Sequence, residues 1–205
     1  MRLDEVGQLH YIASQSNLRS ILELGILSHV AARGHEHVSV ANESVQRRRA
    51  RRKLQMHDGT SLPLHSYANL YFCPRNPMMY CLHHDHERLC VIGVAPGVLR
   101  LEGVVIADGN AAAKLTRFYP SPAGLAHLDA ELVFARSWDH EDPIEKARRK
   151  RIKCAEVLVP ERVDPEHIVR VTVSSAKARA RLAALVAQAY PALPVEVDAD
   201  VFFLR

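Results

Sequence analysis

Lys153-Cys154-Ala155-Glu156-Val157-Leu158-Val159-Pro160 is the stretch on which the fold turns. Ala155 to Val159 is a short apolar run closed by a proline, which reads as a buried strand. Glu156 stands inside that run, and taking an unpaired carboxylate out of water is costly. Two readings are open. Strand alternation turns Glu156 to solvent, or the strand carries the carboxylate into a cleft.

Immediately upstream lies a basic block, Lys146-Ala147-Arg148-Arg149-Lys150-Arg151-Ile152-Lys153. A second block, Gln46-Arg47-Arg48-Arg49-Ala50-Arg51-Arg52-Lys53, occurs earlier in the chain. The net charge of +4 says little by itself. Two concentrated blocks can build a positive surface for phosphates, or they are solvated helix faces.

Working outward, Leu9 to Ile12 reads as a short strand. Ser16 and Asn17 then cap a helix with apolar positions at Leu18, Ile21 and Leu22, ended by Gly25. Residues 29–42 read as loop, 43–53 as a basic helix and 56–66 as loop. Leu70-Tyr71-Phe72 is a strand stopped by Cys73-Pro74-Arg75-Asn76-Pro77, whose prolines force an extended or turning backbone. A short buried helix starts at Met78. Strands are expected over 89–94, 103–107, 132–135, 155–159 and 168–173, with a loop marked by Pro120 and Pro122. An amphipathic helix over 175–190 and a last strand over 194–203 complete the chain. Short strands mixed with helices, without regular βαβ alternation, predict an α+β fold. The 205 residues suffice for one compact domain, spanning 1–205.

Several function classes are disfavoured. No apolar run reaches membrane-spanning length. The N-terminus lacks the basic-then-apolar order of a signal peptide, so a cytoplasmic location is expected. Cys73, Cys81, Cys90 and Cys154 form no CxxC pair and are expected to stay reduced. There is no GxGxxG and no P-loop. Cys81-Leu82-His83-His84-Asp85-His86 invites a metal reading, but its candidate ligands are contiguous and no HExxH accompanies them, so no metal is expected. Arg75, between two prolines and near Tyr71 and Tyr80, suits stacking on a base or holding a phosphate. The same arginine could instead pin a loop through carbonyl hydrogen bonds.

At the level of whole blocks, the sequence resembles the DarT family of DNA ADP-ribosyltransferases, toxins of bacterial toxin–antitoxin pairs. The resemblance is carried by Leu9-His10-Tyr11-Ile12, Asn17-Leu18, Ser20-Ile21-Leu22, Gly25-Ile26-Leu27, Val45 to Arg51, Leu64-His65-Ser66-Tyr67, Leu70 to Tyr80, and Lys153 to Pro160, in that order. The resemblance implies an ADP-ribosyltransferase fold, a split pair of small antiparallel sheets with NAD in the cleft between them. It implies Glu156 as catalytic glutamate and Arg49 as catalytic arginine. NAD contacts would come from His10, Tyr11, Ile12, Ala13, Asn17, Ser20, Ser28 and Arg49, with residues 31–53 closing over the dinucleotide. Residues 111–155 would present the acceptor, a thymine or guanine in single-stranded DNA. Arg75, Arg117, Trp138 and Lys150 are the expected DNA contacts, and a macrodomain-type antitoxin is the expected protein partner. Where the family shows Tyr-His-Ile-Thr, this chain has His10-Tyr11-Ile12-Ala13, so His10 and Tyr11 both stand as candidates to meet nicotinamide.

Three other readings make different demands. An enzyme of the same fold could act on RNA, as an ADP-ribosyltransferase or a 2′-phosphotransferase. A non-enzymatic basic module would bind nucleic acid with Glu156 in solvent. A metal-dependent nuclease would use His83, His84, Asp85 and His86.

Overall fold

A computed structural model describes residues 1–55 and 61–204. Its centre is an eight-stranded sheet. In chain order its strands are β1 (Leu9–Ser14), β5 (Tyr67–Tyr71), β6 (Leu89–Val94), β7 (Val105–Ala107), β8 (Phe118–Pro120), β9 (Glu156–Pro160), β11 (Ile168–Val173) and β12 (Val195–Val197). The spatial order is β12-β11-β6-β1-β5-β9-β7-β8. Neighbours are antiparallel except β11 and β12. Two ribbons stand apart: β2 (Ile26–Leu27) with β10 (Arg162–Val163), and β3 (Lys53–Gln55) with β4 (Ser61–Pro63).

The sheet is nearly split in one place, between β1 and β5. β1 and β6 pair along the whole of β1, from Leu9↔Val94 to Ser14↔Leu89. β1 and β5 meet only at His10↔Tyr71. The two strands therefore diverge from that point, which leaves two four-stranded halves hinged at a single residue pair. An unpaired strand edge exposes backbone groups and space to whatever lies beside it.

The two faces of the sheet differ. Alternation sends Leu9, Ala13, Leu70, Ile92, Val157 and Val159 into the main core. That core also takes Leu18, Ile21 and Leu22 of α1 (Leu18–Leu24) and Ala178, Leu182 and Val186 of α6 (Ala176–Ala189). The other face carries two smaller apolar clusters, one around Ile12, Tyr71, Met79, Val91 and Phe202, the other around Leu54, Leu64, Tyr67, Ala107 and Leu158.

Gly25 shows why α1 stops where it does. Its φ is +88°, and a Cβ there would lie 2.2 Å from the Val163 carbonyl oxygen, so no side chain fits between the helix end and the β2–β10 ribbon.

Some expected elements are different in the structure. Residues 132–135 are not a strand but part of helix α4 (Ala130–Phe134), started by Asp129, whose side chain accepts from the Leu132 N–H. The last strand covers only Val195–Val197, because the chain then turns to bury Phe202 against Ile12 and Tyr71. The basic helix α2 (Glu43–Ala50) ends earlier than expected, and Lys53 already starts β3. Pro120 closes β8 instead of lying in a loop. The second basic block forms helix α5 (Pro143–Ile152). Of the expected 56–66 loop, residues 56–60 lie outside the described residues, and Ser61–Pro63 is strand.

Candidate active site

Glu156 is the first residue of β9 and is paired with Tyr71 on one side and Ala107 on the other. With His10↔Tyr71 and His10↔Gly93, a row of register partners runs Gly93–His10–Tyr71–Glu156–Ala107 across the split. Directly opposed residues share a face. Glu156 therefore lies on the side away from the main core, between the two small apolar clusters, and is only 1% exposed. The reading in which it turns to solvent is excluded.

A buried carboxylate needs partners. Arg49 Nη1 donates to Glu156 Oε2 at 2.7 Å, across 107 residues of sequence. The Ala111 backbone N–H donates to Oε1 at 2.8 Å. Arg49 is itself 4% exposed, and its Nη2 has no partner although it is buried. Buried donors are almost always satisfied, so this unpaired guanidinium nitrogen beside the buried carboxylate has hydrogen-bonding capacity to spare.

Helix α2 positions this pair. Asn42 caps it by accepting from the Ser44 and Val45 N–H groups. Arg52 lies just past the end of α2, and its backbone N–H donates to the Arg49 carbonyl at 3.1 Å. Arg52 Nη1 donates to the Ala111 carbonyl at 2.9 Å and to the Ala113 carbonyl. Its guanidinium stands over Phe118 at 5.0 Å. Asn110 and Thr116 close the same loop internally, through Ala112 N–H to Asn110 Oδ1 and Thr116 Oγ1 to the Asn110 carbonyl. The Ala111 N–H is thus held at the carboxylate from both sides. Neither Arg52 nor Ala111 was singled out in the sequence. Arg52 lies beyond the helix that carries Arg49, so helical spacing does not select it from the basic block, and a backbone donor leaves no trace in side-chain identity.

The rim around Arg49 is rich in nitrogen. The His29 and His65 rings are 4.1 Å apart, and His65 Nε2 lies 3.0 Å from Gln46 Oε1. Both histidines are held below the usual imidazole pKa, first by burial and then by surrounding charge that includes Arg33 and Arg49.

The expected site residues separate into groups. His10 is on the Glu156 face, as is Ile12, which packs with Tyr71. Tyr11 and Ala13 point the other way and belong to the main core, and burial raises the Tyr11 phenol pKa. Asn17 clamps the 29–42 segment, donating from Nδ2 to the Val38 carbonyl and accepting at Oδ1 from the Val38 N–H, both at 2.9 Å. Ser20 donates to the Asn17 carbonyl, and Ser28 accepts from the Ala31 N–H. Arg75 donates to the carbonyls of Asp200 and Arg136, the loop-pinning arrangement. Arg117 and Lys150 are exposed, and Trp138 is half-buried. Among the described residues, no group of His, Cys, Asp or Glu could hold a metal ion, and no helix is long and apolar enough to cross a membrane. An apolar cleft of about 340 Å³, lined by Leu22, Ile168, Tyr190 and Leu193 among others, contains none of these site residues.

Two consequences follow from the titrating groups. Burial, and then the Arg170 charge, push His10 down from 6.5 to about 4. Between those values the unfolded chain binds a proton at this ring that the folded chain does not, so stability falls as pH drops through that window. Thermal melts from pH 7 to pH 4 should show a declining midpoint, with a shallower slope in His10→Asn. An equal slope in both would exclude His10 as its source. Burial pushes the Cys90 thiol up to about 12 and raises Cys154 as well, whereas Cys81 is exposed. Brief alkylation at pH 8, read by peptide mass, should label Cys81 and spare Cys90 and Cys154.

Comparison with known proteins agrees with this geometry. The model of a family described as "ssDNA thymidine ADP-ribosyltransferase, DarT" matches residues 10–203. A DNA ADP-ribosyl transferase–DNA ADP-ribosyl glycohydrolase fusion protein of Thermosipho africanus is 33% identical over 96% of this chain. The chain spans about half of that relative, 50% of its length. A DNA ADP-ribosyl transferase of Thermus sp. is 30% identical, covering 76% of this chain and 75% of its own. The structure of Thermus sp. 2.9 DarT in complex with ADP-ribosylated ssDNA superposes with a TM-score of 0.83 at 25% identity, over 97% of both chains. From its first strand to the turn that follows its last, the chain belongs to the DarT family of ssDNA thymidine ADP-ribosyltransferases.

Proposed function

We propose that this chain transfers ADP-ribose from NAD to a thymine base in single-stranded DNA, with residues 1–205 acting as one catalytic domain. The observation that carries the reading is the buried Glu156–Arg49 pair at the split of the sheet, with Arg49 Nη2 left unpaired. The family description supports thymidine over guanine as the acceptor.

In this mechanism the bond between ribose C1′ and the nicotinamide nitrogen breaks, and nicotinamide leaves with the electron pair. The sugar becomes oxocarbenium-like, and a fixed carboxylate in a water-poor site stabilises that charge strongly. Glu156 supplies the carboxylate, oriented by Arg49 Nη1 and the Ala111 N–H. The base nitrogen then bonds to C1′ and loses its proton, which Glu156 accepts and passes to solvent. Arg49 Nη2 holds an oxygen of NAD. His10 and Ile12, on the same face, contact the nicotinamide end. Tyr11 and Ala13 support the strand from behind. Asn17, Ser20 and Ser28 shape the wall of the NAD site through the backbone they hold. An unpaired strand can bring a base to the carboxylate without the cost of unpairing and unstacking that a duplex imposes. Lys150 and Arg117 track its phosphates.

The Thermosipho relative joins its transferase to a glycohydrolase. We infer the corresponding role here: a toxin acting in the cytoplasm, opposed by a macrodomain-type partner that removes the modification.

The deciding experiment incubates the protein with NAD and oligonucleotides that contain or lack thymine, as single-stranded DNA, duplex DNA or RNA. A mass gain of one ADP-ribose is expected on thymine-containing single strands only. Adducts on RNA alone would move the acceptor assignment to RNA, and no adduct on any substrate would defeat the proposal.

A further inference from the structure

Away from Glu156, three aromatic side chains converge from separate segments. Tyr80 comes from α3 (Pro77–Leu82), Trp138 from the loop between α4 and α5, and Phe203 from the C-terminal turn. Tyr80 meets Trp138 edge-on at 5.6 Å and Phe203 at 5.3 Å, and Trp138 meets Phe203 at 6.0 Å. The His83 ring stacks against one face of Tyr80, with centroids 5.4 Å apart, yet Tyr80 is still 51% exposed, so part of its ring remains open to a visitor. Aromatic residues make up only 6% of the chain, which makes three at one exposed point hard to ascribe to composition.

The group is stiff. The Arg75 guanidinium lies 4.0 Å from the Phe203 ring centroid and is itself fixed by two carbonyls. Arg136 grips Asp200 through both Nη atoms at the edge of the group. The group is also continuous with the site. Phe203 and Met78 pack on the apolar cluster that contains Ile12, Tyr71 and Phe202, and Tyr71 is the register partner of Glu156. One wall therefore leads from the carboxylate to the exposed tyrosine.

We infer that Tyr80, with Trp138 and Phe203 behind it, is a stacking platform for an unpaired base flanking the acceptor on the same DNA strand. This rests on the reading of the chain as a modifier of single-stranded DNA. Every base presents a π-face, so a rigid aromatic surface holds single strands without reading their sequence. Arg136, 70% exposed, stands at the rim where a flanking phosphate would pass.

Trp138 is the only tryptophan, so its fluorescence reports on this spot directly. The experiment titrates a thymine-containing single-stranded oligonucleotide without NAD, so that binding is seen without turnover. Quenching of Trp138 is expected. Tyr80→Ala should weaken binding about ten-fold, and Tyr80→Phe should preserve it. With NAD present, Tyr80→Ala should raise KM for the oligonucleotide with little change in kcat. Trp138→Leu, read by anisotropy of a dye-labelled oligonucleotide, should weaken binding similarly, which covers the case of a poorly folded tyrosine variant. Tyr80→Ala that melts normally and keeps wild-type affinity and KM would overturn the platform while leaving the transferase reading intact. Binding and quenching with no adduct on any nucleic acid would do the reverse.

Discussion

Glu156→Gln is expected to abolish ADP-ribosyl transfer while leaving most of the fold in place. The amide occupies the same volume, and its oxygen can still accept from Arg49 or from the Ala111 N–H. What it lacks is the negative charge that faces the oxocarbenium-like sugar and the site that accepts the base proton. Removing one preorganised electrostatic group from a water-excluded site costs about two to three orders of magnitude in rate. Here charge stabilisation and proton acceptance are lost together, so the upper end is expected. The measurement is adduct mass per unit time on a thymine-containing oligonucleotide, beside a thermal melt of the same preparation. A folded variant that keeps activity within about ten-fold would mean that Glu156 does not face the reacting carbon. The glutamine also turns one N–H toward a donor, so a modest drop in melting temperature is expected.

Arg49→Ala is expected to harm stability as much as activity. Arg49 and Glu156 are 5% and 1% exposed at their side chains. Deleting one member of such a pair leaves a buried charge without its partner, which costs roughly 3–5 kcal/mol. Removing both as Arg49→Ala/Glu156→Ala should cost less than the sum of the two single changes, because no orphaned charge is left. Additive losses in a double-mutant cycle would show that the two groups do not interact in solution. Arg49→Lys separates the two roles. A lysine restores charge beside the carboxylate but not the planar fork, and it cannot present both an Nη1 and an Nη2 donor. It should recover much of the stability and little of the turnover.

The parts of the fold legible in the sequence were those with local causes. Leu89–Val94 and Ile168–Val173 are β-rich apolar runs, and both are strands. Helix α1 was marked by its apolar spacing and by Gly25, whose conformation and surroundings admit no other residue. Residues 132–135 differ from the expected strand because a four-residue apolar run fits a strand and a buried helix equally. Asp129 is the cap that distinguishes the two, and its signal was present in the sequence. The length of the last strand could not be judged, because Phe202 is drawn from the sheet by partners on β1 and β5. Lys153 looked like the end of a solvated basic run. It is 2% exposed and donates to the Val133 carbonyl and to Cys73, neither of which its neighbours in sequence identify.

The amino-acid order alone determined that a carboxylate begins an apolar strand at residue 156, that an arginine-rich helix lies about a hundred residues earlier, and that these blocks follow the family's order. Local chemistry suffices for that, since periodicity, caps and breakers act over a few residues. Only the tertiary structure decided that Glu156 faces away from the main core, that of the two first-strand candidates His10 shares its face while Tyr11 does not, and that Arg49 and a backbone N–H at Ala111 close on one carboxylate. Those facts depend on strand register and on contacts between distant segments. Shifting a strand by one residue exchanges its two faces, and nothing within the strand's own sequence fixes which partner lies opposite.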